Sequence, residues 1–107
     1  MGKSKKILGL LLSASLLSLA TVVYATQVDT DGGTWNYGYN RGINAYSEFY
    51  SGQSVHGAKV VNRNNGAMDA VNASSGVWAK ASIWDIWEPA SFYHNPYSTY
   101  NGARWAG

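Results

Sequence analysis

The clearest alternation of apolar and polar residues in the chain runs through 76–93. Its first half places small and aliphatic side chains on one face of an extended strand, namely Val77, Ala79, Ala81 and Ile83. The opposite face carries Trp78, Lys80, Ser82 and Trp84. A period of two is typical of β-strands. Because both faces carry large apolar groups, the pattern predicts a strand in the middle of a sheet. Pro89 interrupts the pairing, and 90–93 predicts the second strand of a hairpin.

Shorter stretches predict further strands. Trp35, Tyr37 and Tyr39 alternate with polar residues and glycine, which suits a half-buried strand. Segment 45–50 has partly helical spacing, but strand is preferred because the segment is short and rich in aromatic residues. The sequence Asn-Arg-Asn-Asn-Gly at 62–66 is a strong turn signal. It separates a strand predicted at 54–62 from a weak edge strand predicted at 67–72.

The last twelve residues, 96–107, form an aromatic extension. A hairpin around 97–105, a specificity element and disorder all remain open for it. Taken with the strands, the closely spaced turns predict an all-β domain, either a sandwich or barrel-like.

The first 25 residues have the pattern of a secretory signal peptide. Lys3, Lys5 and Lys6 precede an apolar run at 7–19, and cleavage is predicted after Ala25. An uncleaved anchor is the alternative, although serines dilute a run that falls short of the roughly 20 residues needed to span a bilayer. We therefore predict a signal peptide at 1–25, a flexible leader at 26–33, a β domain at 34–95 and a C-terminal extension at 96–107. This organisation predicts a secreted, extracellular protein.

Cleavage after Ala25 would change the charge of the protein. The full chain has a formal net charge of +2, and the signal holds three lysines and no acids, so residues 26–107 carry +2 − 3 = −1. A net charge of this sign gives no electrostatic basis for binding nucleic acid or for the mechanism of cationic membrane peptides. The chain has no cysteine. A small secreted domain without disulfides needs another source of stability, and its aromatic residues or self-association can supply one.

Candidate catalytic residues are scarce. His56 and His94 stand alone, without the spacing of metal ligands, and each fits a structural role. Asp85 and Glu88 are close enough in sequence for an acid–base pair, but a solvated loop is the preferred interpretation. The sequence predicts no catalytic residue, no metal site, no cofactor and no enzymatic activity.

The binding signals are stronger. Trp84 and Trp87 flank Asp85 just before Pro89. If this stretch is a loop, an exposed indole would suit a membrane interface, a sugar face or a protein partner. Packing of both indoles beneath the sheet is the equal alternative.

An ordered set of short motifs resembles the lactococcin 972 family of bacteriocins. The most specific are Gly-Val-Trp-Ala-Lys-Ala at 76–81 and Ala-Ser-Phe-Tyr at 90–93; the others are Gly-Thr-Trp at 33–35, Gly-Tyr at 38–39, Ala-Tyr-Ser at 45–47 with Tyr50, Ala58 with Val-Val-Asn at 60–62, and Asn95. The resemblance implies a sandwich of two small antiparallel sheets that can form homodimers. It also implies a secreted antibacterial protein that binds the cell-wall precursor lipid II and blocks septum formation in related Gram-positive bacteria without opening pores. The extension after Asn95 and the aromatic stretch 84–87 depart from the family pattern.

The ligand-binding residues predicted on this basis are cations for the diphosphate of lipid II and aromatic side chains for its sugars or the membrane interface. The cations are Arg41, Lys59, Arg63 and Lys80, and the aromatic residues are Trp78, Trp84 and Trp87. The predicted partners are lipid II or another cell-wall precursor, the target-cell surface and a second copy of the chain, with no nucleic acid. Two other classes stay open: a secreted carbohydrate-binding module without killing activity, and a pore-former.

Overall fold

The structure, a computed structural model, describes residues 23–106. These residues form eight β-strands and no helix. The strands are β1 (Val23–Thr30), β2 (Gly33–Asn40), β3 (Asn44–Tyr50), β4 (His56–Asn62), β5 (Met68–Ala73), β6 (Trp78–Trp84), β7 (Ala90–Asn95) and β8 (Arg104–Trp105). The predicted signal peptide lies outside the described residues except for 23–25, which begin β1. The prediction of an all-β fold is confirmed.

The strands form two four-stranded sheets that pack face to face. Sheet A has the order β1-β2-β3-β6 and is antiparallel throughout, while sheet B has the order β7-β4-β5-β8. In sheet B only the short β5–β8 pair is parallel among the described strands. The chain completes three strands of sheet A, forms the β4–β5 hairpin of sheet B, and then returns to sheet A with β6.

Alternating side chains of the two sheets meet in the core. Phe49 on β3 is fully buried in one cluster with Val60 and Val71 of sheet B and with Ile86. Most other core positions are alanines, namely Ala45, Ala58, Ala73, Ala79 and Ala81. The face that carries Ala79, Ala81 and Ile83 points into the core, whereas Val77, predicted on the same face, is exposed and precedes the strand.

A buried hydroxyl joins the sheets at the centre of the sandwich. Ser47, fully buried on β3, accepts a hydrogen bond from Trp35 Nε1 at 2.9 Å and donates to the carbonyl oxygen of Tyr93 at 2.8 Å. Trp35 also packs against His94, with ring centroids 4.3 Å apart. Aromatic and hydrogen-bonding contacts thus connect the two layers in a chain that has no disulfide.

The prediction that 76–84 is a central strand is wrong. β6 is the outer strand of sheet A and pairs only with β3 among the described strands. The predicted hairpin with 90–93 is also wrong, because β7 pairs with β4 in the other sheet. Large side chains on both faces of a strand indicate that both faces are covered. They do not show whether the strand has a neighbour on each side, because neighbouring strands lie in the hydrogen-bonding direction, perpendicular to the side chains.

Two further segments differ from the sequence prediction. Segment 26–33, expected to be a loose leader, contributes most of β1 and the turn after it. The sequence feature that indicates this strand is the alternation of Thr26, Val28 and Thr30. These residues lie opposite Tyr37, Trp35 and Gly33. β5 is not an edge strand, because β8 adds to its free side.

The C-terminal extension is ordered against sheet B and forms no hairpin in the described residues. Asn72, buried on β5, donates its side-chain amide to the carbonyl oxygen of Tyr100 at 3.0 Å and accepts from the Tyr100 N–H at 2.8 Å. The N–H of Ala106 donates to the Asn72 carbonyl oxygen at 2.8 Å. Side-chain and backbone groups of Asn72 therefore both hold the extension along β5, where β8 pairs with the strand.

Candidate functional site

Two loops join at one end of the sandwich. The N–H of Gly42, in the β2–β3 turn, donates to the Ile86 carbonyl oxygen at 2.7 Å, and the Asp85 N–H donates to the Ile43 carbonyl oxygen at 2.8 Å. Asp85 has a φ of 56°, an uncommon conformation for a residue other than glycine. These contacts turn Ile86 into the core and leave the indoles on either side of it exposed. The stretch 84–87 is thus a loop end that presents both tryptophans, rather than a buried cluster.

Trp87 is held in one position although 57% of it is exposed. Its ring lies on Gly42, where an added Cβ would approach to 2.7 Å, and Gly42 has a φ of 82° that favours glycine. The indole Nε1 donates to Asp85 Oδ1 at 3.3 Å. The Arg41 guanidinium lies 5.9 Å from the ring centroid, within the range of a cation–π contact.

Beside Trp87, an aromatic groove of about 540 Å³ opens between the ends of the two sheets. We call this feature the aromatic groove. Tyr37 and Phe92 pack against each other in its wall with ring centroids 5.1 Å apart, and Tyr24 stacks on Tyr39 at 6.2 Å. The lining consists of Tyr24, Thr26, Tyr37, Gly38, Tyr39, Arg41, Trp87, Pro89, Ala90 and Phe92. Among these described residues Arg41 carries the formal charge, so the groove combines an apolar wall with one cation at its end.

Three of the predicted site residues share a different surface, the outer face of sheet A. Trp78, Lys80 and Trp84 project from alternate positions of β6. Trp78 stacks on Tyr50 with ring centroids 5.4 Å apart, and Lys80 lies opposite Glu48 in the strand register. Trp84 is 66% exposed. This face is aromatic and polar, and it points away from the groove-lining side of the sheet.

The same face carries a buried polar atom. Asn36 Oδ1, on β2 beside Glu48, is inaccessible to solvent and accepts no hydrogen bond from any residue in 23–106. An unpaired buried oxygen costs free energy, so this position is a weak point of sheet A rather than an accessible contact for a ligand.

The remaining predicted cations lie elsewhere. Lys59 Nζ, on the outer face of sheet B, is 5.3 Å from the ring centroids of both Tyr93 and Tyr100. Burial, with a smaller contribution from Tyr93, raises the pKa of Tyr100 to about 12, so this phenol stays neutral beside the lysine. Arg63 is exposed in the β4–β5 turn, where its backbone N–H donates to the Pro89 carbonyl oxygen at 3.2 Å. Neither cation lines the aromatic groove.

The groups considered for catalysis have structural contacts. Glu88 accepts from the Asn62 side-chain amide at 2.9 Å, while Asp85 accepts from Trp87. The ring nitrogens of His56, which is fully buried, lie 2.8 Å from the Ser54 carbonyl oxygen and 2.7 Å from that of Val77. Residues 23–106 contain no group of three or more acidic or histidine side chains placed to hold a metal ion. A helix of the length and hydropathy needed to cross a bilayer is not found in this part of the chain.

The structure therefore unites Arg41 with Trp87 and separates both from Lys59 and from the β6 face. The groove residues that the sequence prediction missed are Tyr37, Tyr39 and Phe92. Tyr37 and Tyr39 alternate along a strand predicted to be half-buried, and Phe92 lies in another predicted strand. Only the packing of β2 against β7 shows that the three residues share one opening.

Comparison with known proteins identifies the family. Residues 31–94 match the family model described as "Bacteriocin (Lactococcin_972)". The solved structure of "Lactococcin 972" aligns with a TM-score of 0.53 at 44% sequence identity, over 59% of this chain and 96% of that one. A search of curated proteins finds no match. Since the family match spans more than half of the chain, and a solved member shares the β architecture, the chain belongs to the lactococcin 972 family of bacteriocins.

Proposed function

We propose that this protein is a secreted bacteriocin that binds lipid II on the outer face of the target-cell membrane. Binding would withhold the precursor from peptidoglycan synthesis and block the septum in related Gram-positive bacteria, without pore formation. The family supports a bacteriocin-like antibacterial function and implies a secreted protein. Processing after Ala25 is part of the proposal, because the predicted signal peptide would direct export.

One observation carries the proposed ligand: the Arg41 guanidinium lines the aromatic groove, whose lining apart from Tyr24 belongs to residues 26–107. Lipid II joins a polyprenyl chain to a diphosphate and a sugar-peptide head, so it presents an apolar segment next to an anion. Tyr37, Tyr39 and Phe92 provide apolar contact area, and a guanidinium binds phosphate oxygens in a bidentate manner. The groove thus matches the junction between the lipid and the diphosphate.

The position of the tryptophans supports action at a membrane surface. Trp84 and Trp87 are exposed at the same end of the sandwich as Arg41. Indole side chains are enriched at the boundary between lipid and water. With a net charge of −1 on residues 26–107, binding would not depend on the cationic amphipathic surface that membrane-lytic peptides use.

The test is binding of residues 26–107 to bilayers with and without lipid II, with dye leakage recorded in the same samples. We expect binding that requires lipid II and releases no dye. Equal binding to both bilayers would contradict lipid II recognition, and leakage from lipid II vesicles would favour a pore-former.

A secreted carbohydrate-binding module without killing activity is the second candidate, and the outer face of sheet A favours it. There the half-buried Trp78 and the exposed Trp84 offer stacking surfaces for sugar rings. This candidate predicts affinity for finished cell-wall glycan with no need for lipid. Pull-down with purified glycan, and with a Trp84→Ala variant, distinguishes it from the first.

A further inference from the structure

Two exposed turns contain the dipeptide Asn-Gly, at Asn65–Gly66 and at Asn101–Gly102. Both glycines have positive φ angles, 80° and 73°, and no atom beyond the neighbouring residues lies within 4 Å of the position that a Cβ would take. In such a dipeptide the glycine nitrogen can attack the carbonyl carbon of the asparagine side chain, because glycine has no side chain to hinder the approach. A C–N bond forms and ammonia leaves, and water then opens the cyclic imide to aspartate or isoaspartate. This reaction, deamidation, needs no reagent other than water.

At Asn65, the two groups that would react are both held by hydrogen bonds. The Gly66 N–H donates to the Asn62 carbonyl oxygen at 2.8 Å. Asn65 Oδ1 accepts from the Ala67 N–H at 2.9 Å. Attack by the Gly66 nitrogen on the Asn65 side chain would break both bonds, so the fold opposes deamidation at this site.

At Asn101, neither group is held in this way. Within residues 23–106, no hydrogen bond reaches the Asn101 side chain or the Gly102 N–H. The turn is closed by a long contact, in which the Ala103 N–H donates to the Tyr100 carbonyl oxygen at 3.4 Å. The Asn101 side chain can therefore rotate towards the Gly102 nitrogen without losing a hydrogen bond in this part of the chain.

The turn at Asn101 lies between two attachments of the C-terminal extension to β5. On one side of the turn, the Asn72 side chain makes two hydrogen bonds with the main chain of Tyr100. On the other side, the Asn72 carbonyl oxygen accepts from the Ala106 N–H. Because both attachments end on Asn72, they fit one length of main chain between Tyr100 and Ala106.

We infer that Asn101 is a site of spontaneous deamidation, and that its isoaspartyl product loosens the extension from β5. In isoaspartate the main chain runs through the side-chain carbon, which lengthens the link between Tyr100 and Ala106 by one carbon–carbon bond, about 1.5 Å. The product also places a new carboxylate beside Asp69 and Arg104, which line the same cavity as Asn101 and form an ion pair at 2.8 Å. This carboxylate competes with Asp69 for the guanidinium. Both changes act on the contacts that hold the extension.

The first experiment follows both asparagines in the purified protein during incubation in mildly alkaline buffer. Peptide mapping by mass spectrometry measures the conversion of amide to acid at each site, and labelling by an isoaspartyl methyltransferase detects the isoaspartyl product. We expect Asn101 to react about tenfold faster than Asn65 in the folded protein, because two hydrogen bonds protect Asn65. In urea the two rates should become equal, since glycine follows asparagine at both sites. No reaction at Asn101, or a reaction at Asn65 that is as fast, would overturn the inference.

Amide hydrogen exchange tests the effect on the extension. In the isoaspartyl form, exchange at the N–H groups of Tyr100 and Ala106 should be about tenfold faster than in the unreacted protein, because these groups lose their acceptors on Asn72. Asn101→Asp is the matched control, since it adds the carboxylate but keeps an ordinary main chain, and its exchange should change less. Unchanged exchange in the isoaspartyl form would overturn the loosening of the extension, and an equal increase in Asn101→Asp would overturn the role of the longer main chain.

Discussion

At the scale of single residues, a few aromatic rings stabilise an interior built mostly from alanine. Phe49 contacts His56 and His94, with ring centroids 5.6 Å and 4.8 Å away, and is fully buried. Trp78, one of the aromatic residues predicted to bind the ligand, is half-buried on the outer face and stacks on Tyr50. The sequence shows which residues are large and apolar. Which face of a strand is buried depends on the side where the second sheet packs.

We predict unequal effects of truncating these two rings. Phe49→Ala should lower the free energy of unfolding by about 3–5 kcal/mol, because it leaves a cavity in the core. Trp78→Ala should lower it by only about 1 kcal/mol, which corresponds to one partly exposed aromatic pair. Urea denaturation of both variants measures the difference, and similar losses would contradict the burial described here.

His94 predicts a pH dependence of stability. Burial lowers its pKa below the usual 6.5, so the fold favours the neutral imidazole, which packs against Trp35 and lies 3.5 Å from Thr30 Oγ1. The unfolded chain therefore binds more protons between the two pKa values. The stabilisation is complete above pH 6.5 and is lost as the pH falls from there through the folded-state pKa.

Thermal melts at several pH values between about 5 and about 7.5 measure this effect. His94→Gln keeps a polar side chain that does not titrate, and it should flatten the slope of melting temperature against pH in this range. An unchanged slope in the variant would show that other groups cause the dependence.

At the scale of elements, the outer strand β6 is protected by a side chain from the other sheet. The N–H of Ser82 donates to Asp69 Oδ2 at 2.9 Å, and Arg104 holds the same carboxylate through Nη2 at 2.8 Å and Nε at 3.3 Å. Unpaired strand edges promote association with other chains, and charged side chains oppose it. The extension thus stabilises the edge of sheet A through Asp69.

We predict that Asp69→Ala lowers the free energy of unfolding by about 1–3 kcal/mol, because the Ser82 N–H loses its acceptor. Asp69→Asn keeps an oxygen acceptor and should cost less. Arg104→Ala should lower the free energy of unfolding by under about 1 kcal/mol, since the Arg104 side chain is 60% exposed and its ion pair is screened by water. Denaturation curves for the three variants test this order, and a larger effect of Arg104→Ala than of Asp69→Ala would refute it.

At the scale of the whole molecule, the seven predicted ligand-binding residues fall on separate surfaces. Arg41 and Trp87 share the aromatic groove, and Trp78, Lys80 and Trp84 share the outer face of sheet A. Lys59 lies on sheet B, and Arg63 is exposed in the β4–β5 turn. One ligand cannot contact all of these surfaces together. The separation makes the groove and the outer face distinguishable by mutation.

Arg41→Ala should weaken binding to lipid II bilayers about tenfold or more, since a charge-assisted hydrogen bond to phosphate is lost. Lys80→Ala is the matched control, because it also removes one positive charge but lies on the outer face. We expect little change in affinity for this variant. The reverse result would move the site to the face of sheet A, and the measurement is vesicle binding at constant ionic strength.

The residue pattern determined by itself that the domain is all-β, that Ala79, Ala81 and Ile83 share one face of a strand, and that a turn forms at 62–66. These properties are local, because a period of two and a positive φ depend on neighbouring residues. Tertiary structure decided that β6 is an edge, that β7 joins β4, and that Tyr37 meets Phe92. Such contacts join segments far apart in the sequence, and strand order and register depend on hydrogen bonds and packing between them.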